Sequence, residues 1–308
     1  GSKRVATNSL LLYSLSLIAL GFAPSTLLLI CGLVVFGMAG NTANIAINTQ
    51  AVGVEAKYER NIMASFHGLW SLAGFTAAGI GAFMIGNAIV PMHHFIIIAS
   101  LIVLGIALSF QYLLPDEAKS STSEKLFVKP DKSLVMLGLI AFCCMICEGA
   151  MFDWSGIYFQ KVVGAKDGWI GAGYTAFMST MAAGRFIADW VVSKVGFRKT
   201  IQLSGILIGV GLSIAVLFPS LAASIASFLL VGIGVSSVVP LVYSEAGKSK
   251  VMSTGKALAA VSSIGFLGFL LGPPLIGFIA GLSSLRFSFA YVALMGFIVT
   301  IIVSRIKH

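Results

Sequence analysis

Glu148 and Asp153 stand in Cys147-Glu148-Gly149-Ala150-Met151-Phe152-Asp153-Trp154-Ser155, deep inside an apolar run that begins near residue 133. An ionised side chain at the centre of a bilayer costs about 2.5–3.5 kcal/mol on insertion scales, so carboxylates in such runs are functional candidates. Burial disfavours the charged form of a carboxylate, and a group held this way can take up and release a proton. The chemistry would be proton coupling; the alternative is a carboxylate hydrogen-bonded to a neighbouring helix for packing. Trp154 and Tyr158 follow on the same run and offer a stacking face and a phenolic hydrogen bond. A second set consists of Asn41, Asn44 and Asn48, which with Gly37 and Gly40 fall on one helical face. Three amides present paired donors and acceptors suited to a hydroxyl-rich solute, or else join helices. His67, beside Trp70 and one turn before Ser71, can titrate near neutral pH or serve packing. Ser236, Pro240 and Tyr243 share a face of a later run.

The runs that must position these groups are membrane helices. The chain of 308 residues is 58% hydrophobic and 10% charged, with mean hydropathy +0.99, which excludes an ordinary soluble domain. Runs of roughly 20 residues are long enough to cross a bilayer. Ten are predicted, at about 5–22, 26–52, 61–86, 93–114, 133–161, 168–193, 199–218, 222–247, 253–281 and 286–305. The net charge of +9 does not indicate nucleic acid, because the basic residues sit in alternate loops. Lys3, Arg4, Lys57, Arg60, Lys119, Lys125, Lys129, Lys132, Lys194, Arg198, Lys199, Lys248, Lys250, Lys256, Arg305 and Lys307 fall on one side, against Lys161, Lys166 and Arg286 on the other. Both termini and the serine-rich stretch 115–132 are therefore expected in the cytoplasm, with 115–132 a linker between a bundle at 1–114 and one at 133–308. Cys31, Cys143, Cys144 and Cys147 all lie in apolar runs and read as small buried hydrophobes, not as a disulfide or metal framework.

A charged, glycine-bounded stretch joins two of these helices: Gly184-Arg185-Phe186-Ile187-Ala188-Asp189, then Gly196-Phe197-Arg198-Lys199. Gly184 and Gly196 permit close helix approach and a tight reversal, and Arg185 and Asp189 lie one turn apart on one face. The stretch resembles the signature loop of the major facilitator superfamily of secondary transporters. An internal repeat agrees with that resemblance: a constant shift of 195 places Gly1 on Gly196, Arg4 on Lys199, Pro24-Ser25 on Pro219-Ser220 and Gly37 on Gly232. Duplicated halves are a transporter feature. The resemblance implies an all-α polytopic fold of twelve helices, of which ten are present, so two more helices, roughly 60 residues by the same offset, are expected upstream of Gly1.

The resemblance also implies roles. The helix near 133–161 corresponds to the family's seventh and that near 26–52 to its fourth, both lining a central cavity. Asp153, with its aromatic neighbours, is the better candidate to face that cavity. Solute binding then falls to Asn41, Asn44, Asn48, His67, Trp154, Tyr158 and Tyr243, and proton coupling to Glu148 and Asp153. Acids at helix ends in the superfamily pair with signature-loop arginines and latch the cytoplasmic side. Gly184, Arg185, Asp189, Gly196, Arg198, Glu245 and Glu55 are the corresponding gate, with Arg185 and Arg198 as partners of Glu245 and Asp189 as a cap for the helix near 253–281. The asparagine face, Phe66-His67-Gly68-Leu69-Trp70-Ser71, and the 148–155 stretch are similar to the fucose-permease-like branch and related bacterial inner-membrane proteins. A phosphate-binding loop fails at Gly255-Lys256-Ala257, and no HExxH or GxSxG motif occurs, so neither an ATP-driven pump nor an enzyme is expected. The expectation is a monomeric inner-membrane symporter of a small polar solute such as a sugar, driven by a proton gradient with no cofactor. An efflux antiporter and a non-transporting receptor of the same fold are the alternatives.

Overall fold

The computed structural model describes residues 1–115 and 129–306. The expected linker 115–132 and Lys119, Lys125 and Lys307 therefore lie wholly or mostly outside the described residues. Ten α-helices and no strand occur among the described residues: α1 Ser2–Gly21, α2 Thr26–Tyr58, α3 Met63–Gly86, α4 Pro91–Ser109, α5 Lys132–Tyr158, α6 Ala172–Val195, α7 Phe197–Leu217, α8 Leu221–Gly247, α9 Thr254–Leu282 and α10 Leu285–Arg305. Among the described residues eight helices, α1, α2, α4, α5 and α7 to α10, are long and apolar enough to cross a membrane, while Arg185 and Asp189 interrupt the apolar run of α6. The fold is all-α and polytopic. Helix starts follow local rules: Asp131, Ser220 and Ser284 accept from the backbone N–H groups of Leu134, Ala223 and Phe287, and Pro91 opens α4. The α2 helix continues past its expected end to Tyr58, since Glu55 and Lys57 are good helix formers, and the chain leaves it at Glu59 with φ 54°.

The chain divides into two compact units, Gly1–Tyr58 with Ser71–Val128, and Glu59–Trp70 with Lys129–His308. The first two turns of α3 thus belong with the second unit. In the first unit α1 packs on α2 and α4. Tyr13 stacks on Phe36 at 4.1 Å and covers Gly40. Gln50 clamps the unit's ends, donating to Ser2 Oγ (2.9 Å) and the Leu114 carbonyl (3.2 Å) and accepting from Leu114 N–H (2.8 Å).

In the second unit α5 packs chiefly on α9, α6 on α8, and α7 on α8 and α10. Lipid tails are as apolar as leucine, so these contacts depend on close backbone approach. At the α7–α10 crossing a Cβ on Gly296 would fall 2.6 Å from Gly209 N, and one on Gly205 would fall 2.6 Å from the Gly296 carbonyl oxygen. Tyr158, Phe159, Phe228 and Phe289 fill the centre, with Tyr158 and Phe289 rings 4.2 Å apart. The repeat is visible in three dimensions. The offset of 195 carries the start of α1 onto that of α7, and α1 packing on α2 and α4 matches α7 packing on α8 and α10.

Candidate functional site

The α5 segment Cys143–Met151 is buried throughout, and Glu148 sits in it with Arg185 of α6 alongside. Arg185 Nη2 lies 3.6 Å from Glu148 Oε1, and the two side chains are 4% and 10% exposed. Arg185 is about ten residues from the Val195 end of α6, some 15 Å along the axis, so the pair stands far from either helix end. Taking two charges out of water costs several kcal/mol per ion, and only their mutual attraction and further contacts offset that. Those contacts come from the start of α3. The guanidinium carbon lies 5.7 Å from the Trp70 ring centroid, and Nη1 lies 3.5 Å from the His67 carbonyl oxygen. The His67 ring meets Tyr243 of α8 edge-on at 6.0 Å, and Tyr243 is buried. Glu148, Arg185, His67 and Tyr243, drawn from four helices, thus form one cluster. Trp70 joins them, and only its position beside His67 in the sequence hinted at that.

The gate residues are arranged differently from the expectation. Asp189 caps α3: its carboxylate accepts from Ala64 N–H (3.0 Å), Ser65 N–H (2.7 Å) and Ser65 Oγ–H (2.5 Å). A helix N-terminus carries unsatisfied N–H groups and partial positive charge, which suits a carboxylate supplied by another helix. Glu245 pairs with neither Arg185 nor Arg198. It holds Lys248 at 2.9 Å on its own helix end, while Arg198 donates to the Ser304 carbonyl. Gly196 sits at the α6–α7 junction with φ 81°, a conformation that strains other residues. Gly184 lies where a Cβ would come 2.8 Å from Ser236 Cβ on α8.

The far end of α5 separates its candidates. Tyr158 is fully buried and donates to the Ala215 carbonyl at 2.9 Å, so its phenol is part of the interior and is not presented to solute. Trp154 Nε1–H donates to the Pro273 carbonyl at 3.1 Å and its ring covers Gly277, joining α5 to α9. Asp153 is exposed and lines an open cavity of about 550 Å³ with Phe152, Gly156, Gln160, Ile170 and Tyr174. The chain beyond Tyr158 forms a π-helical turn, Phe159–Val163, closed by Gly164 at φ 67°.

In the first unit, Asn41 is exposed, Asn44 half-buried and Asn48 buried. Asn48 Nδ2–H donates to the Asn44 carbonyl (2.9 Å) and side-chain oxygen (3.2 Å), so this amide pair is oriented along α2. Glu55 is buried near the end of the same helix. Cys143, Cys144 and Cys147 are buried thiols, whereas Cys31 is exposed, because its face of α2 carries only apolar neighbours such as Leu27, Leu28 and Val34 that are exposed with it. Among the described residues no group of three or more His, Cys, Asp or Glu could hold a metal ion.

A sequence model of the Major Facilitator Superfamily matches residues 1–250 and 175–307. An uncharacterized MFS-type transporter of Yersinia pestis is 33% identical over 287 residues, 93% of this chain and 74% of that protein. Membrane protein MosC of Rhizobium meliloti is 33% identical over 307 residues, 97% of this chain and 73% of its own length. Among solved structures, the MFS transporter FucP in its outward conformation superposes with TM-score 0.84 over 100% of this chain and 84% of FucP, at 15% identity. The human organic anion transporter MFSD10 gives 0.77 over 98% and 77%, also at 15% identity. At such identities the solved structures establish shared architecture, and the sequence match supplies kinship: the chain belongs to the major facilitator superfamily of membrane transporters.

Proposed function

We propose that the chain is a proton-coupled symporter of a small polar solute of the sugar class, working by alternating access. The observation that carries this reading is the buried Glu148–Arg185 pair. A carboxylate bound to a guanidinium in the membrane interior is stable as a pair and costly as a lone charge. Protonating Glu148 cancels its charge and leaves Arg185 without that counter-ion, so the packing of α5, α6 and the start of α3 depends on one proton. That is the property coupling requires. The solute class follows from the amide pair Asn44–Asn48 and from likeness to a neighbour that is the E. coli fucose:proton symporter, with TM-score 0.76 at 17% identity. The positive-inside distribution of Lys and Arg supports both termini of this chain being cytoplasmic in an inner membrane, and residues 1–114 and 133–308 are the two bundles of this scheme. The proton gradient is the only energy source invoked. The Asp189 cap on α3 belongs to the cytoplasmic gate in this scheme.

A second reading, proton-driven efflux of an organic anion, draws on the buried guanidinium of Arg185 and on the likeness to MFSD10. The two are separated by reconstituting full-length protein in proteoliposomes under an imposed inward proton gradient with labelled L-fucose, D-galactose and D-glucose. Wild type concentrates one of these sugars. Glu148→Gln retains counterflow of that sugar, at a rate independent of pH, and loses accumulation. Glu148→Gln protein that still concentrates sugar against its gradient would remove the proton role from this residue.

A further inference from the structure

We infer that the outer seam of α7 and α10 holds an anionic phospholipid, its phosphate between Lys199 and Arg305 and an acyl chain along the apolar stripes that lead away from them. Side chains fix one end of the seam. Arg198 donates to the Ser304 carbonyl, Gln202 Nε2–H donates to Ser304 Oγ at 2.8 Å, and Thr300 Oγ1–H donates to the Gln202 carbonyl at 3.1 Å. The start of α7 therefore lies beside the last turn of α10, and Lys199 and Arg305 each follow directly on a bonded residue. Only Gly196 separates α6 from α7, so Lys194 in the last turn of α6 adds a further charge at this end. The contact line on α7 runs through Arg198, Gln202, Gly205 and Gly209. On one side of it Ile201, Ile208 and Leu212 are buried; on the other Lys199, Leu203, Ile206 and Val210, at i, i+4, i+7 and i+11, are exposed. The α10 helix repeats the pattern, with Val292, Val299 and Val303 buried and Leu294, Phe297, Ile301 and Arg305 exposed. The inner sides pack on α8 and α5. The two exposed stripes are thus neighbours on the outer surface, and each ends in a cation.

The charge at this end is uncompensated. Neither α7 nor α10 contains Asp or Glu, and among the described residues Lys194, Lys199 and Arg305 make no ion pair. Other cations are already engaged: Lys248 holds Glu245, Lys3 lies over the Phe110 ring, and Arg286 donates to the Val216 carbonyl. Basic clusters between membrane helices attract anionic headgroups, and an amphiphile with a negative head matches cations set at the end of an apolar stripe. Arg198 is held by Ser304, so its remaining N–H groups can meet a phosphate oxygen with little further ordering. Trp190, exposed one turn before Lys194, is the kind of residue that anchors at the headgroup level. A free phosphate would meet the cations and leave the stripes unused, which is why the seam fits a lipid.

The test is a lipid titration of full-length, delipidated protein in detergent, read by native mass spectrometry and by the thermal unfolding midpoint. Wild type binds phosphatidylglycerol about tenfold or more tighter than phosphatidylcholine with the same acyl chains, and the bound lipid raises the midpoint. Lys199→Gln with Arg305→Gln lowers the affinity for phosphatidylglycerol about tenfold or more and leaves that for phosphatidylcholine unchanged. Lys199→Glu, a single change on an exposed face, gives a loss at least as large. Lys161→Gln with Lys166→Gln, beyond the opposite end of α6, binds phosphatidylglycerol as wild type does. Inorganic phosphate does not displace the lipid. Equal affinity for the two lipids, or displacement by inorganic phosphate, overturns the assignment. So does phosphatidylglycerol affinity that survives Lys199→Glu, or that falls equally in the Lys161 and Lys166 variant.

Discussion

A single guanidinium illustrates how much one residue decides here. Arg185 faces Glu148, the His67 carbonyl and the Trp70 ring, and it does so with only 4% of its surface exposed. Replacing one member of a buried pair strands the other charge in a medium that solvates it poorly. Arg185→Ala is therefore expected to destabilise the protein by about 3–5 kcal/mol, measured as a fall in the thermal unfolding midpoint in detergent. The double substitution Glu148→Gln with Arg185→Gln removes both charges and should regain most of that loss. An unchanged midpoint for Arg185→Ala would mean that the pair is solvated. Asp189 acts by different physics, since it satisfies two backbone N–H groups at the start of α3. Asp189→Ala should cost about 1–2 kcal/mol in the same assay, and Asp189→Asn, which can still accept a hydrogen bond, less.

At the scale of elements, close crossings replace the hydrophobic effect as the source of helix–helix specificity. The α7–α10 crossing through Gly205, Gly209 and Gly296 brings backbone against backbone, so Gly296→Leu should separate the helices and yield aggregated protein in gel filtration after detergent extraction. Monodisperse Gly296→Leu protein would show that this contact tolerates a side chain. The α9 helix carries Pro273 and Pro274, which cannot donate to the carbonyls one turn earlier, and Phe269 O faces Gly149 of α5. Trp154 bonds the Pro273 carbonyl, so α5 and α9 are tied one turn beyond the carbonyls of Phe269 and Leu270, whose helical donors the two prolines remove. The tryptophan that braces α9 was not legible in the sequence, where Trp154 read as a stacking face for solute. The repeat also relates the two candidate faces. The offset of 195 carries Asn41 onto Ser236 and Asn48 onto Tyr243, so equivalent positions of α2 and α8 hold polar groups in both halves.

For the whole molecule, sidedness is the prediction that follows from charge alone. With Lys and Arg concentrated on one set of loops, reporters fused at either end of this chain should both be active in the cytoplasm, and one inserted in the 164–168 loop should face the other side. A reporter active only outside the cytoplasm at the Arg305 end would reverse the assignment. The apolar surface agrees with a lipid environment: Leu27, Leu28, Phe75, Leu108, Leu270, Phe278 and Phe287 are all more than half exposed, where a water-soluble chain of this size would hide such residues.

Class, element count and repeat were readable from sequence because the bilayer imposes them locally. Lipid demands runs of about 20 apolar residues with internally satisfied backbones, and a duplicated half repeats its glycines, prolines and charges at a fixed offset. The identity of the unusual residues was readable for the same reason: Glu148, Arg185 and Asp189 stand out against an apolar background. Their partners were not. Glu148 meets Arg185 from another helix, and Asp189 caps a helix that begins more than a hundred residues earlier. Within α5, Tyr158 is buried and bonded to the Ala215 carbonyl where it was expected to face solute, while Asp153, five residues earlier, is exposed and lines a cavity. The physical reason is that a membrane helix is apolar towards lipid and apolar towards its neighbours, so hydropathy carries little information about rotation around the axis. Only the close crossings of the tertiary structure set that rotation, and with it which charges share a site.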